Sequence, residues 1–474
     1  MRAGSPRAGT AARTGREGGL ASGGQSTPWR AAWGGLGVTG VLVTSGWCAF
    51  VLSVFVASDG HHVRIAFNWL VLAPLVLVAG GLAVRGAGAW RQWRLHGQEA
   101  VDLRALAFGL GALWLVAGYF VASVLWAGAP PDVDGTSVVR ELKNPLYLSA
   151  LAVAATMAVA AAPRWMGALD RVVIGACVVA VLAALTVHLA THGAANALLH
   201  RMQGLGALRN ELVIASVAGV CALLALARHA AAETPAARMH WLAVVCLLLV
   251  AMLMTQSRGP LFAWLLAAAV LLACARRNLR DLAWCAVVGA VAVVGLNLAL
   301  PEAGERIADA VRQRGLDFSF RDWIWAAVAD ETRGQFWFGQ GLRGDRQVVT
   351  AVGVFPHEHN SVLASWRFGG AVGLLLFVGL CGGALWLAAR LGPARGNARA
   401  MLLPWLVFGM VCQLTNGGFP FGRPAYDWWL IWIPAAWALA LNVVPLAEPP
   451  GRRTWVGGWA GRGQRSVRGL PAKV

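Results

Sequence analysis

The stretch Pro356-His357-Glu358-His359-Asn360-Ser361-Val362-Leu363-Ala364-Ser365-Trp366-Arg367-Phe368-Gly369-Gly370-Ala371-Val372-Gly373 leaves a long polar loop and enters an apolar run that continues to residue 389. A run of that length crosses a hydrocarbon core about 30 Å thick as a helix, which takes about 20 apolar residues. Two histidines thus stand where a nonpolar chain meets water, directly after the one sizeable loop of the sequence. A titratable base at that edge is a place for chemistry. The plainer alternative is an interfacial histidine at a helix start.

Outward from this stretch, apolar runs near twenty residues recur along the chain. About twelve are legible, at roughly 31–56, 66–84, 103–127, 146–162, 171–190, 212–228, 241–256, 260–275, 281–300, 361–389, 399–416 and 427–446. Hydrophobic residues make up 58% of the chain and charged residues 13%, a balance foreign to a soluble domain of this length. The expected fold class is therefore an all-α polytopic membrane protein. Its expected organisation is a disordered basic tail over 1–30, helices 1–9 over 31–300, an ordered outer loop over 301–358, helices 10–12 over 359–446 and a basic tail over 447–474.

The net charge of +18 would point a soluble protein toward nucleic acid. Here its distribution argues against that partner and for the lipid bilayer. Arginines fill the N-terminal tail (Arg2, Arg7, Arg13, Arg16, Arg30), the C-terminal tail (Arg452, Arg453, Arg462, Arg465, Arg468) and alternate short loops (Arg85, Arg91, Arg94; Arg164, Arg171; Arg276, Arg277, Arg280; Arg390, Arg395, Arg399). An even helix count puts all of these on one side, which the positive-inside rule makes cytoplasmic. The apolar run after residue 30 is too long for a signal-peptide core and is read as a retained helix. All eight cysteines lie within apolar runs without metal-ligand spacing, so neither a disulfide framework nor a zinc site is expected. The 24 tryptophans suit interface belts and helix packing.

On the opposite, outer face few segments are large enough to act. They are 128–145 with Arg140 and Lys143, 191–211 with His192, His200, Arg201 and Arg209, the hairpin tip at Arg258, the loop 301–358, and 417–427 with Arg423. Within the long loop, 302–314 reads as a surface helix with Glu302 and Arg306 as i,i+4 partners. Ser319 followed by Asp322 resembles a capping signal for a second helix over 320–331 whose face carries Trp323, Ile324 and Ala327. Gly339-Gln340-Gly341-Leu342-Arg343-Gly344 then makes a turn.

Positive charge on the outer side is where the topology rule stops explaining. Arg258 is the sharpest case, because Ser257-Arg258-Gly259-Pro260 is a tight hairpin between two apolar segments. A charge near hydrocarbon is costly, about 2.5–3.5 kcal/mol at a helix centre. Such an arginine is either an interfacial anchor that snorkels or an anion ligand facing a cavity. The same holds more weakly for Arg201, Arg209, Arg321, Arg343 and Arg346. Several cations converging on one face point to a phosphate-bearing substrate. A histidine among guanidinium groups is pushed toward its neutral form and accepts a proton near pH 7. Together these describe transfer of a group from a phosphate-activated donor to a hydroxyl, with arginines stabilising the leaving diphosphate. An outer face has no nucleotide supply, so a lipid-linked pyrophosphate is the natural donor. Asp132-Val133-Asp134 offers a competing divalent-metal reading, although Pro130-Pro131-Asp132-Val133-Asp134-Gly135 is also an ordinary turn. Gly-x-Ser-x-Gly, P-loop and His-Glu-x-x-His patterns do not occur.

His359-Asn360, nine residues, Gly370, two residues and Gly373 resemble the pattern that closes the large periplasmic loop of O-antigen ligases and their polymerase relatives. Thr255-Gln256-Ser257-Arg258-Gly259 resembles that family's Ser-Arg-Gly element. Arg201-Met202-Gln203-Gly204-Leu205-Gly206 with Asn210 resembles its Arg-x-x-Gly-x-Gly…Asn element, and Phe320-Arg321, Trp325 and Gly339-x-Gly341 resemble its loop pattern. The likeness spans about residues 200–375. Glu211 departs from it, standing where relatives often carry proline.

The resemblance implies a GT-C-like enzyme of the bacterial inner membrane, multi-pass, with both termini cytoplasmic and a periplasmic active site. Its implied activity moves O-antigen polysaccharide from undecaprenyl pyrophosphate to a sugar hydroxyl of lipid A-core, inverting the anomeric centre without a metal or other cofactor. It implies His359 as general base and Arg201 and Arg258 as ligands of the donor pyrophosphate. Arg209, Arg321, Lys143 and Arg140 follow on face and charge alone, and His357, Glu358 and Asn360 are left to orient the base or the acceptor. An O-antigen polymerase or a protein O-oligosaccharyltransferase would use the same donor. A transporter or flippase of lipid-linked sugars is the alternative of another class, though it would place charges within the helices rather than at their ends.

Overall fold

The computed structural model describes residues 37–84, 101–127, 136–275 except 198, 320–342, and 346–445 except 396. The chain is built of α-helices: α1 (Gly37–Val56), α2 (Gly60–Phe67) continuing through a π-turn at Asn68–Leu72 into α3 (Ala73–Val84), α4 (Leu103–Ala122), α5 (Thr136–Ala161), α6 (Pro163–Asn196), α7 (Glu211–Ala231), α8 (Pro235–Met254), α9 (Arg258–Ala275), α10 (Arg321–Arg333), α11 (Ser361–Ala389), α12 (Ala398–Asn416) and α13 (Trp432–Val443). Nine helices among the described residues are long and apolar enough to cross a membrane.

Some expectations fall outside the described residues, and two are corrected. The run at 281–300 and the surface helix at 302–314 lie outside the described residues, as do Asp132 and Asp134. The run at 427–446 is not one helix. A 3-10 turn at Tyr426–Trp429 leads into α13 of only 12 residues, about 18 Å at 1.5 Å per residue. Finally, 128–145 is not a loop throughout, because α5 begins at Thr136 and carries Arg140 and Lys143 on its first turns.

α7 is the axis of the bundle, with every residue from Val213 to Ala227 buried. Alanines and Gly219 keep it thin, and a Cβ at Gly219 would sit 2.5 Å from the Phe408 ring of α12. Small residues at a helix interface let backbones approach where lipid supplies no hydrophobic drive. α7 packs on α8, α9, α12 and α6, and α9 lies along α12. The first residues of α7, α9 and α11 and the last residues of α8 and α12 share one end of the bundle, tied by contacts of Arg201 with Glu211 and Thr255, of Gly259 with Thr415 and of His359 with Asn416. At the other end Arg228 pairs with Asp170 across α7 and α6.

The part of the long loop that is described also differs from expectation. Phe320 precedes α10 in a left-handed conformation (φ +63) without a side-chain cap, and Ser319 lies outside the described residues. The buried face of α10 is Ile324, Val328 and Thr332, whereas Trp323 is exposed. A hairpin of β1 (Val348–Thr350) and β2 (Gly353–Phe355) follows, antiparallel with Val348 opposite Phe355. Val348 joins Ile324 and Val328 in a small apolar cluster beside Leu363 of α11.

Gly339 and Gly341 lock this loop onto the bundle. Gln340 N donates to Arg367 O, Gly341 N to Phe368 O, Ala371 N to Phe336 O and Val372 N to Trp337 O. α11 is interrupted at Gly370 (φ +61, ψ −164), and a Cβ there would lie 2.3 Å from the Trp337 carbonyl. Backbone of that geometry is essentially restricted to glycine.

Candidate active site

α11 starts cleanly because Asn360 Oδ1 accepts from Val362 N at 2.9 Å and Leu363 N at 3.2 Å, satisfying two donors that a helix start leaves orphaned. Asn360 is thus a cap. The residue before it is strained: His359 has φ +53, a left-handed conformation that costs about 1–2 kcal/mol for a residue with a Cβ. Two contacts hold the turn. His359 N donates to His357 Nδ1 at 3.1 Å, and Glu358 is anchored on either side of its Cα. The Trp325 indole donates to Glu358 O at 3.2 Å, and Arg367 Nη1 donates to Glu358 Oε1 at 2.9 Å.

Arg367 is the hub of this corner. It is 3% exposed and faces both Glu358 and, at 2.9 Å, the Glu331 carboxylate of α10. It also donates to Arg346 O at 3.2 Å and Gln347 O at 2.9 Å. One guanidinium therefore ties α10, the strand-bearing loop and α11 around His359. Arg346 in turn donates to the buried Glu141 of α5 at 2.6 Å.

The turn delivers the His359 ring to the end of α12, where Nδ1 lies 3.3 Å from Asn416 Oδ1. An amide oxygen accepts, so this contact places the imidazole proton on Nδ1 and leaves the Nε2 lone pair to take a proton. Burial lowers the pKa of His359 below its ordinary 6.5. The Asn416 bond partly opposes this and the Arg321 charge adds to it. His357, its ring centroid 4.0 Å away, is pushed down to about 4 by burial and by His359. Because His357 Nδ1 accepts from a backbone N–H, it serves as a neutral brace for the turn.

The arginines identified in the sequence divide into those near this corner and those away from it. Arg321 opens α10 and acts electrostatically on His359, while its own pKa is lowered by burial. Arg201 and Arg258 meet at the α8–α9 hairpin. Arg201 Nε donates to Thr255 O at 3.2 Å and Nη2 to Ser257 Oγ at 3.4 Å, and Met202 N donates to Met254 O. Arg258 begins α9 on an exposed position. The next residue, Gly259, packs so tightly on α12 that a Cβ would lie 2.7 Å from Thr415 Oγ1. Thr415 immediately precedes Asn416, so the arginine hairpin and His359 converge on the same final turn of α12.

Arg209 is exposed on the turn before α7. Lys143 is exposed on α5, where Glu141 and Asn144 turn inward. The Glu358 carboxylate is committed to Arg367 rather than to the base. Two residues that take part were not singled out in the sequence, Asn416 and Arg367, and Glu211, noted there only as a departure from the family pattern, pairs with Arg201 at 2.7 Å. Asn416 does carry a local signal, being a polar residue closing an apolar run before Gly417-Gly418.

Fold and site together define a polytopic α-helical membrane protein with a histidine–arginine site at one end of its bundle. A family model described as O-Antigen ligase matches residues 242–378, which contain Arg258 and the 357–360 turn. An O-antigen ligase of Pseudomonas aeruginosa (strain PAO1) is 32% identical over 411 residues, covering 84% of this chain and 90% of that protein. The chain belongs to the O-antigen ligase family.

Proposed function

We propose that this protein is an enzyme of lipopolysaccharide biosynthesis that ligates O-antigen from undecaprenyl pyrophosphate onto a sugar hydroxyl of lipid A-core. The family supports O-antigen ligation. The observation that carries the finer reading is that His359 and the Arg201–Arg258 hairpin meet at the Thr415–Asn416 turn, with Arg321 acting electrostatically on His359. In this reading the acceptor hydroxyl passes its proton to His359 Nε2 as its oxygen attacks the anomeric carbon of the donor glycan. The bond from that carbon to the pyrophosphate oxygen breaks, and the electron pair leaves with undecaprenyl pyrophosphate. Arg201 and Arg258 take up the charge that develops on the leaving group, where fixed cations contribute most. Attack opposite the leaving group inverts the anomeric centre. In this reading the proton moves by general-base assistance at His359, which is worth about 10²–10⁴-fold, with no metal required. Arg209, Arg321, Lys143 and Arg140 supply the wider positive face.

The proposed setting is the inner membrane, with a GT-C-like bundle of about twelve spans, both termini cytoplasmic and the site periplasmic. The arginine bias of the tails and of alternate short loops supports that orientation.

The test is incubation of purified protein with undecaprenyl-pyrophosphate glycan and lipid A-core, with and without EDTA. Ligation that survives EDTA and is lost in His359→Ala supports the proposal. A divalent-ion requirement would move the argument to Asp132 and Asp134. Chain lengthening without transfer to lipid A-core would instead identify a polymerase.

A further inference from the structure

Arg201 already holds an anion. Its Nη1 lies 2.7 Å from Glu211 Oε1, with the arginine side chain 40% exposed and the glutamate 21%. Nε and Nη2 are engaged by Thr255 O and Ser257 Oγ of the hairpin. A guanidinium offers five N–H groups in a planar fork, and a phosphate grips that fork through two parallel contacts. Glu211 therefore sits on a prong that an incoming phosphate needs.

The carboxylate also has somewhere else to go. Glu211 is the first residue of α7, whose Asn210 cap accepts only from Leu212 N. The positive end of a helix dipole stabilises an acidic side chain in the first turn. Glu211 can rotate off the guanidinium and remain beside that helix end, so the exchange of one anion for another leaves no charge unmet.

We propose that Glu211 is a built-in competitor for Arg201: it cedes the guanidinium to the donor's diphosphate and reclaims it as the lipid diphosphate product departs. This rests on the reading of Arg201 as a diphosphate ligand. The lipid diphosphate product ends in a free phosphate with more negative charge than the donor's diester, so a site built of cations alone would retain the product more firmly than it captures the donor. A competing carboxylate weakens both and favours turnover. Proline at this position would keep the helix start, since the first helical position tolerates it, but would abolish the competition.

The test compares Glu211→Gln, Glu211→Pro and Glu211→Asp with the parent in the ligation assay, with inorganic pyrophosphate as inhibitor. Removing one charge-assisted contact from the competing state should lower the donor KM and the pyrophosphate Ki about tenfold each in Glu211→Gln and Glu211→Pro. Glu211→Asp keeps the charge and should stay near the parent. A merely structural glutamate would alter kcat or stability without moving KM and Ki together in this direction. KM and Ki within twofold of the parent in both neutral variants would overturn the proposal. Arg201→Ala separates the two levels. If it weakens donor and pyrophosphate while the Glu211 variants change neither, only the competitor role fails. If Arg201→Ala changes neither constant, the diphosphate reading itself fails.

Discussion

Replacing Arg367 by methionine removes a cation while keeping most of the side-chain volume. Glu358 is 1% exposed and would lose its partner, whereas Glu331, 32% exposed, stays solvated. The uncompensated charge is therefore that of Glu358 alone. Breaking a buried pair from one side costs about 3–5 kcal/mol. The carbonyls of Arg346 and Gln347 each lose a donor as well, so the upper part of that range is expected. Adding Glu358→Leu removes the stranded carboxylate, and the double variant should recover at least about 2 kcal/mol relative to the sum of the singles. The measurement is denaturant unfolding of the purified protein in detergent, followed by tryptophan fluorescence, as a double-mutant cycle. Ligation should fall in Arg367→Met, because Glu358 braces the turn that carries His359. A loss below about 1 kcal/mol in Arg367→Met, or strict additivity in the cycle, would refute the hub.

Three further outcomes follow from the site. A base works deprotonated, so ligation should fall as pH drops through the His359 pKa, which lies below 6.5. Arg321→Gln removes a cation that lowers it, so the acid limb of the kcat/KM profile should move to higher pH; an unmoved or lowered limb contradicts the coupling. Asn416→Ala frees the His359 ring and its tautomer and should lower kcat about tenfold with the donor KM preserved, and an unchanged kcat would remove Asn416 from the mechanism. Gly370→Ala forces a Cβ to 2.3 Å from the Trp337 carbonyl at φ +61 and should cost about 2 kcal/mol or more. Gly382→Ala, with no atom within 4 Å, is its neutral control in the same unfolding experiment.

The helices were legible because a bilayer demands long apolar runs and satisfied backbone, and both requirements are local. Runs such as 361–389 and 212–228 appear in the structure as α11 and α7. The 427–446 run misled because composition does not register a 3-10 turn followed by a short helix with Pro434 in its first turn. The face of α10 was misjudged for a related reason: which of Trp323 and Val328 is covered depends on where β1 and α11 lie.

The sequence by itself determined the membrane class, the charge asymmetry of the loops and the candidacy of His359, Arg201, Arg258 and Arg321, since each rests on residue type and position along the chain. Only the tertiary structure decided their surroundings. Asn416 fixes the His359 tautomer across 57 residues of sequence, Arg367 seals the corner by gripping Glu358 and Glu331, and Glu211 occupies Arg201. None of these contacts is a periodicity or a motif. Each joins residues of separate segments that only packing brings together, and at the end of α12 the glycines at 259 and 417 let backbone and side chain approach more closely than any Cβ would allow.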